Sequence, residues 1–233
     1  MPQSAVKFQM RNKNLILVPT RGRPDNAVEV LAAHKQFSCR SDLFFVIDED
    51  DDKKNDYISA VGLERIELVK NDTRGMAYPL NVATRRYLDD GYEFFTFIGD
   101  DHRPQTPDWD VILAKSLGDK PGIAYGNDLL QGQRLPTAVL MSAAIVTALG
   151  GMVPPKLRHL YLDNFWMRIG NDLGNLVYRP DVIIEHRHPL AGKAEWDEGY
   201  RQVNSQELYN FDALMFDNYI KSEDYSVLLK KLR

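Results

Sequence analysis

The sequence has a single cysteine, Cys39, so no internal disulfide can form and a reducing compartment is the default expectation. Long apolar runs are also missing. None approaches the ~18 residues needed to span a bilayer, and the opening MPQSAVKFQMRNK has no apolar core of the signal-peptide kind. The expectation is a soluble cytoplasmic protein (in a host cell's cytoplasm, if phage-encoded). An excess of either charge is lacking too. The 29 Lys and Arg nearly balance the 33 Asp and Glu, for a net charge of −4. That balance excludes an overall electrostatic grip on nucleic acid or membrane, though not a local basic patch. There is no internal repeat, low-complexity tract or linker. With 44% hydrophobic residues, the 233-residue chain fits one large α/β domain with a substantial core.

What is present is an alternation of short apolar runs with helical patterns, which predicts βα units and a mostly parallel sheet flanked by helices. Leu15, Ile16, Leu17 and Val18 form the first strand, stopped by Pro19. A helix then places Val28, Leu31 and Ala32 on one face. Residues 43–47 form a second strand that ends at Asp48, and residues 65–69 alternate like a third. After Gly75 a helix follows, carrying Leu80, Ala83, Tyr87 and Leu88 and stopping at Gly91. Residues 93–98 make a buried strand that runs into Gly99, Asp100, Asp101 and His102. Further strands are read at 122–126, 138–141 and 181–185. Ser142 is positioned to cap a helix ending at Gly150, and Phe165, Trp166, Ile169 and Leu173 share one apolar face. The tail from Asn204 reads as helical. Cys39 has no activating pattern and reads as packing.

Three groups of polar residues directly follow predicted strands: Asp48, the pair Asp100 and Asp101, and the pair His186 and His188. In open α/β sheets ligands bind at the carboxyl ends of strands, so these groups are expected to converge on one crevice. They supply oxygen and imidazole donors suited to Mn²⁺ or Mg²⁺, and such an ion would clamp a nucleoside diphosphate. Adjacent carboxylates repel unless a cation bridges them, so Asp100 and Asp101 point to metal or ribose binding. His186 and His188 share a face if their strand continues, since side chains alternate with period 2. Asp48 opens the acidic run Asp48-Glu49-Asp50-Asp51-Asp52, which would equally serve as a solvated loop. The turn Thr20-Arg21-Gly22-Arg23-Pro24 offers amides and guanidinium groups to a base or phosphate. His34 and His159 read as structural or surface, and Tyr161 and Trp166 as core or acceptor platform.

From about Leu15 to about Pro189 the chain resembles the GT-A-fold glycosyltransferases, in particular the large inverting family of bacterial polysaccharide enzymes. Residues 15–24 resemble the strand and turn that hold the nucleotide, and residues 45–48 the strand whose terminal Asp contacts the base, often uracil. Residues 75–81 resemble the family's glycine-to-asparagine helix start, with Leu80 where arginine is usual. Residues 97–102 resemble the Asp-x-Asp region, here Asp-Asp-His, which leaves the third metal ligand open. Leu162, Asp163 and Asn164 stand where the family carries its Glu-Asp pair, with the Glu replaced by Leu162.

The resemblance implies a metal-dependent transfer from a nucleoside-diphosphate sugar, UDP-sugars being favoured. Asp163 would be the general base. Thr20, Arg21, Arg23, Asp48, Gly75, Asn81 and Asp100 would bind the donor, and Asp101, His186 and His188 the metal. It implies one domain over residues 1–233, with a nucleotide-sugar half (about 14–127), an acceptor half (about 128–203) and a helical tail (204–233). Inversion is favoured, with retention left open because retaining enzymes share the fold. Asp163 has an alternative reading as a helix N-cap. The acceptor is open: a glycan, a protein, a small molecule or a hydroxylated base in phage DNA. Two rival readings stand beside this one. A nucleotidyltransferase would call for a longer glycine-rich first loop with a lysine. A non-catalytic nucleotide- or metal-binding module would have kept the crevice without the base.

Overall fold

The computed structural model describes residues 13–233 apart from Cys39, Arg74, Ala194 and Asp197, so the reading of Cys39 lies outside the described residues. The first apolar run becomes β1 (Asn14–Thr20), with Leu15, Ile16, Leu17 and Val18 fully buried. Successive side chains of a strand point to opposite faces. Leu15 and Leu17 therefore enter one core and Ile16 and Val18 the other. That double burial is why the run is continuously apolar, as expected of a parallel strand covered on both sides.

The chain then alternates: α1 (Pro24–Phe37), β2 (Ser41–Asp48), α2 (Lys54–Val61), β3 (Ile66–Val69), α3 (Ala77–Arg86) and β4 (Phe94–Phe97). Next come β5 (His102–Pro104), α4 (Trp109–Leu117), β6 (Ile123–Asn127), β7 (Val139–Ser142), α5 (Ala143–Leu149), α6 (Leu162–Asp172) and β8 (Leu176–His186). The chain closes with α7 (Glu198–Val203), α8 (Gln206–Ile220) and α9 (Glu223–Leu232). The sheet order is β3-β2-β1-β4-β7-β6-β8-β5. β1 to β4 are parallel, β7 runs antiparallel to both β4 and β6, β8 is parallel to β6, and β5 lies antiparallel on β8. The result is a single α/β domain with a mixed sheet flanked by helices, and none of its described helices is long and apolar enough to cross a membrane.

Several local expectations shift. In α1 the buried stripe is Ala27, Val30, Leu31 and Ala33, and Val28 and Ala32 face solvent. α3 stops at Arg86, five residues before Gly91, although Leu80 and Ala83 are buried as their spacing requires. Ser142 precedes α5, but its hydroxyl bonds the backbone of Gly122 instead of capping the helix. The strand read at 181–185 extends back to Leu176, with a register shift opposite Gly126 and Asn127. A Cβ on Gly126 would lie 2.4 Å from the Val182 carbonyl oxygen, so that close approach requires glycine. The tail is helical, as its pattern predicts. Ser205 and Ser222 cap α8 and α9, and Tyr225 and Leu228 of α9 are buried in the core that α6 also fills.

Candidate active site

The parallel strands bring their carboxyl ends together, and a directed chain of hydrogen bonds joins them. The Arg23 amide donates to the Tyr57 hydroxyl (2.6 Å), Tyr57 lies 2.9 Å from the Thr20 hydroxyl, and Thr20 donates to Asp100 Oδ2 (2.7 Å). Arg23 Nη1 is 3.4 Å from Asp100 Oδ1. Asp100 is buried just beyond β4. Burial, then the neighbouring Asp101, raises its pKa to about 6 against the opposing effect of Arg23 and Thr20.

The acidic run after β2 divides in two. Asp50 and Asp52 are exposed, whereas Asp48 and Asp51 are buried and bonded. Arg21 donates to Asp48 Oδ2 (2.9 Å) and to Asp50 (2.5 Å), and Asn71 donates to Asp48 Oδ1 (3.0 Å). Asp51 accepts from the Gly22 amide at 2.8 Å. Burial raises the Asp48 pKa, and the bonds from Asn71 and Arg21 oppose it. A shallow cavity of about 250 Å³, lined by Glu49, Asp50, Lys70, Asn71 and Asp72, opens on this side.

Asp101 lies at the meeting of three rings. His102 Nδ1 is 3.1 Å from one of its carboxylate oxygens, and His186 Nε2 and the Tyr200 hydroxyl are 3.2 and 2.8 Å from the other. His102 and His186 are register partners across β5 and β8, and their rings stack at 4.1 Å. Burial works to raise the Asp101 pKa, but the two imidazoles hold it well below the usual carboxylate range. Burial likewise opposes a charge on His186, yet Asp101 and Asp128 raise its pKa to about 9. His102 is lowered, first by burial and then by the charge on His186. The Arg23 guanidinium lies over the Tyr200 ring at 3.9 Å, which ties the acidic pair to α7.

Asp163 sits in the first turn of α6 and is partly buried. The capping position is held by Tyr161 in a left-handed conformation (φ 64°), so Asp163 is not the N-cap. Its Oδ1 accepts from the Asn164 amide (2.8 Å), and burial raises its pKa against the pull of His186, which acts on it through space. The segment leading into α6 is held by Asp212 of α8, whose buried carboxylate accepts from the amides of Arg158, His159 and Leu160 at 2.7 to 2.9 Å.

Thr20, Arg21, Arg23, Asp48, Asp100, Asp101 and His186 thus interlock at the strand ends. Two residues expected to bind the donor, Asn81 and Gly75, make framework contacts. The Asn81 side chain bonds the backbone of Met152 and Val153. A Cβ on Gly75 (φ 133°) would lie 2.4 Å from the Arg158 carbonyl oxygen. His188 differs from expectation as well. β8 ends at His186, so period-2 alternation does not extend to residue 188, and His188 packs edge-on against His186 and Tyr200. Among the described residues, the group with ligand atoms close enough to hold a metal is Asp101, His102 and His186, all within 4.8 Å of one another. Sequence reasoning did not single out His102, which completes this group. The available signal was its place two residues after Asp100, where an Asp-x-Asp pattern has its second acid. Tyr57, Asn71, Asp128 and Tyr200 carried no signal.

No family model and no curated protein sequence matches the chain. Solved structures do. Residues 1–349 of S. aureus TarS, in complex with UDP-GlcNAc, match at TM-score 0.62 and 12% identity over 91% of this chain and 67% of that one. The mannosyltransferase PcManGT from Pyrobaculum calidifontis, in complex with GDP-Man and Mn²⁺, matches at TM-score 0.61 and 16% identity, covering 94% and 68%. The fold is GT-A. Against a further S. aureus TarS structure the TM-score is 0.56 at 14% identity, over 74% of this chain but 36% of that one. The chain therefore spans about a third of that TarS chain.

Proposed function

We propose that the chain is a glycosyltransferase that moves a sugar from a nucleoside-diphosphate sugar to an acceptor hydroxyl, with Mn²⁺ or Mg²⁺ held by Asp101, His102 and His186. The observation that carries this reading is the convergence of those three donors from β5, β8 and the turn that joins β4 to β5. The donor set fits a divalent cation: a buried carboxylate facing two imidazole nitrogens at 3.1 and 3.2 Å suits a borderline transition ion. Bound there, the cation supplies charge neutralisation to the departing diphosphate. The solved neighbours support the donor class, since one is in complex with UDP-GlcNAc and another with GDP-Man and Mn²⁺.

The chain's own residues then have distinct tasks. Asp48, fixed between Arg21 and Asn71, presents a carboxylate to the base, with UDP the favoured donor nucleotide. Asp100, locked by Thr20 and Arg23, faces the ribose. Asp163 accepts the proton of the acceptor hydroxyl as that oxygen attacks the anomeric carbon, which inverts its configuration. A carboxylate whose pKa burial raises is the better base near neutral pH.

The test is to incubate the chain with UDP- and GDP-sugars, Mn²⁺ and an acceptor panel, and to measure sugar transfer and donor hydrolysis. Asp101→Ala is expected to remove both, and Asp163→Ala to remove transfer while sparing donor binding. Donor binding without turnover under every acceptor would replace this reading with a non-catalytic binding module.

A further inference from the structure

Behind the two imidazoles lies a carboxylate that no motif singled out. Asp128 follows β6 and is 3% exposed. Its Oδ1 accepts from the amides of Leu130, Gln131 and Gly132 at 2.7 to 3.0 Å, which fixes the carboxylate plane. Its Oδ2 accepts from the Thr137 hydroxyl at 2.8 Å and lies 3.7 Å from His186 Nδ1, a buried ring nitrogen with no hydrogen-bond partner.

The proton count around Thr137 then decides the state of His102. A threonine hydroxyl has one hydrogen, and Thr137 gives it to Asp128. Toward His102 Nε2, 3.4 Å away, its oxygen is therefore an acceptor, so Nε2 carries the ring proton. His102 Nδ1 is left with its lone pair. A second observation agrees: the Gly99 amide donates to Nδ1 at 3.1 Å. The Asp101 carboxylate lies 3.1 Å from the same nitrogen, so a cation held between the two would take the lone pair over from the Gly99 amide.

We propose that Asp128 is a positioning residue that keeps the outer nitrogen of both imidazoles protonated, His186 directly and His102 through Thr137. The inner nitrogens, His102 Nδ1 and His186 Nε2, are then the metal donors aimed at Asp101. This rests on the metal reading above and adds which nitrogens ligate and what fixes them. Carboxylate partners of ligating histidines act in this way in metal sites generally, and their loss costs about 10–100-fold in affinity.

Asp128→Asn is the discriminating variant. It keeps Oδ1 for the three amides but puts an NH₂ where Oδ2 stood. Thr137 is then free to donate to His102 Nε2, which moves the ring proton to Nδ1. Ring ¹⁵N NMR of the metal-free chain at pH 8 is expected to show His102 as the Nε2–H tautomer, and the variant as Nδ1–H. Mn²⁺ affinity measured by electron paramagnetic resonance falls about 10–100-fold. Thr137→Val, which breaks only the link to His102, gives mixed tautomers and a smaller loss, and it serves as the second probe should Asp128→Asn fail to fold. An Nδ1–H tautomer in the wild type overturns the proposal, as does a folded Asp128→Asn with unchanged tautomer and Mn²⁺ affinity. If the wild type takes up no Mn²⁺, the metal reading fails, and the His102 spectrum still decides the role of Asp128.

Discussion

The two ends of the sheet meet the site by different means. At the parallel end each polar residue ends or closely follows an apolar strand: Thr20 is the last residue of β1, Asp48 the last of β2, and Asp100 comes just after β4. At the antiparallel edge the decisive contact is one of register, with His102 of a three-residue strand lying opposite His186 of an eleven-residue one. The first kind of placement is local to the sequence, whereas the second exists only once distant strands pair. Under the proposed function the difference also divides the chemistry: the parallel end would offer carboxylates and guanidinium groups to a nucleotide, and the edge would complete the metal site.

The largest effect expected is at the point where the two ends join. Asp101→Asn should lower Mn²⁺ affinity by more than ~100-fold and take sugar transfer with it, as removing a ligand exceeds the loss of an outer partner. Electron paramagnetic resonance titration checks the first and donor turnover the second. Wild-type uptake by this variant would break the link between the two ends.

The next contrast separates register from alternation. His186→Ala should cost at least ~100-fold in Mn²⁺ affinity, while His188→Ala should stay within about 10-fold. Equal losses would mean that alternation along the chain, rather than pairing across β5 and β8, selects the ligands.

That contrast also marks what the sequence could and could not show. The strands, the α/β class and the residues after β1, β2 and β4 were legible because an apolar run followed by a polar residue is a local pattern. His186 was legible for the same reason. The role of His102 depends on a three-residue strand too short to show periodicity, and that of Asp128 on hydrogen bonds to a turn and to Thr137. Tyr200 reaches Asp101 from 99 residues away. Asn81 and Gly75 stand in family-like positions, and their tight packing against the backbone of residues 152–158 was not legible in the sequence.

A smaller effect tests how the acceptor side is held. Asp212→Ala would strand three amides before α6, at a cost of about 3 kcal/mol in urea unfolding. A loss under ~1 kcal/mol would show that the segment is held by other contacts. The smallest effect concerns pH. Burial lowers the pKa of His159 from 6.5 to about 4, so the folded state disfavours its proton. The stability it allows is complete above pH 6.5 and falls as the pH drops toward 4. His159→Gln should flatten the fall in urea midpoint between pH 7.5 and pH 5, whereas a slope identical to wild type would remove His159 from the acid response.

The most direct test of the account is a Mn²⁺ titration of the chain with and without UDP- and GDP-sugars, followed by electron paramagnetic resonance. The proposed metal site predicts one bound Mn²⁺ per chain, tightened by one nucleotide sugar and lost in Asp101→Asn. A chain that takes up no divalent ion under either condition, or one whose uptake is indifferent to Asp101, would contradict it.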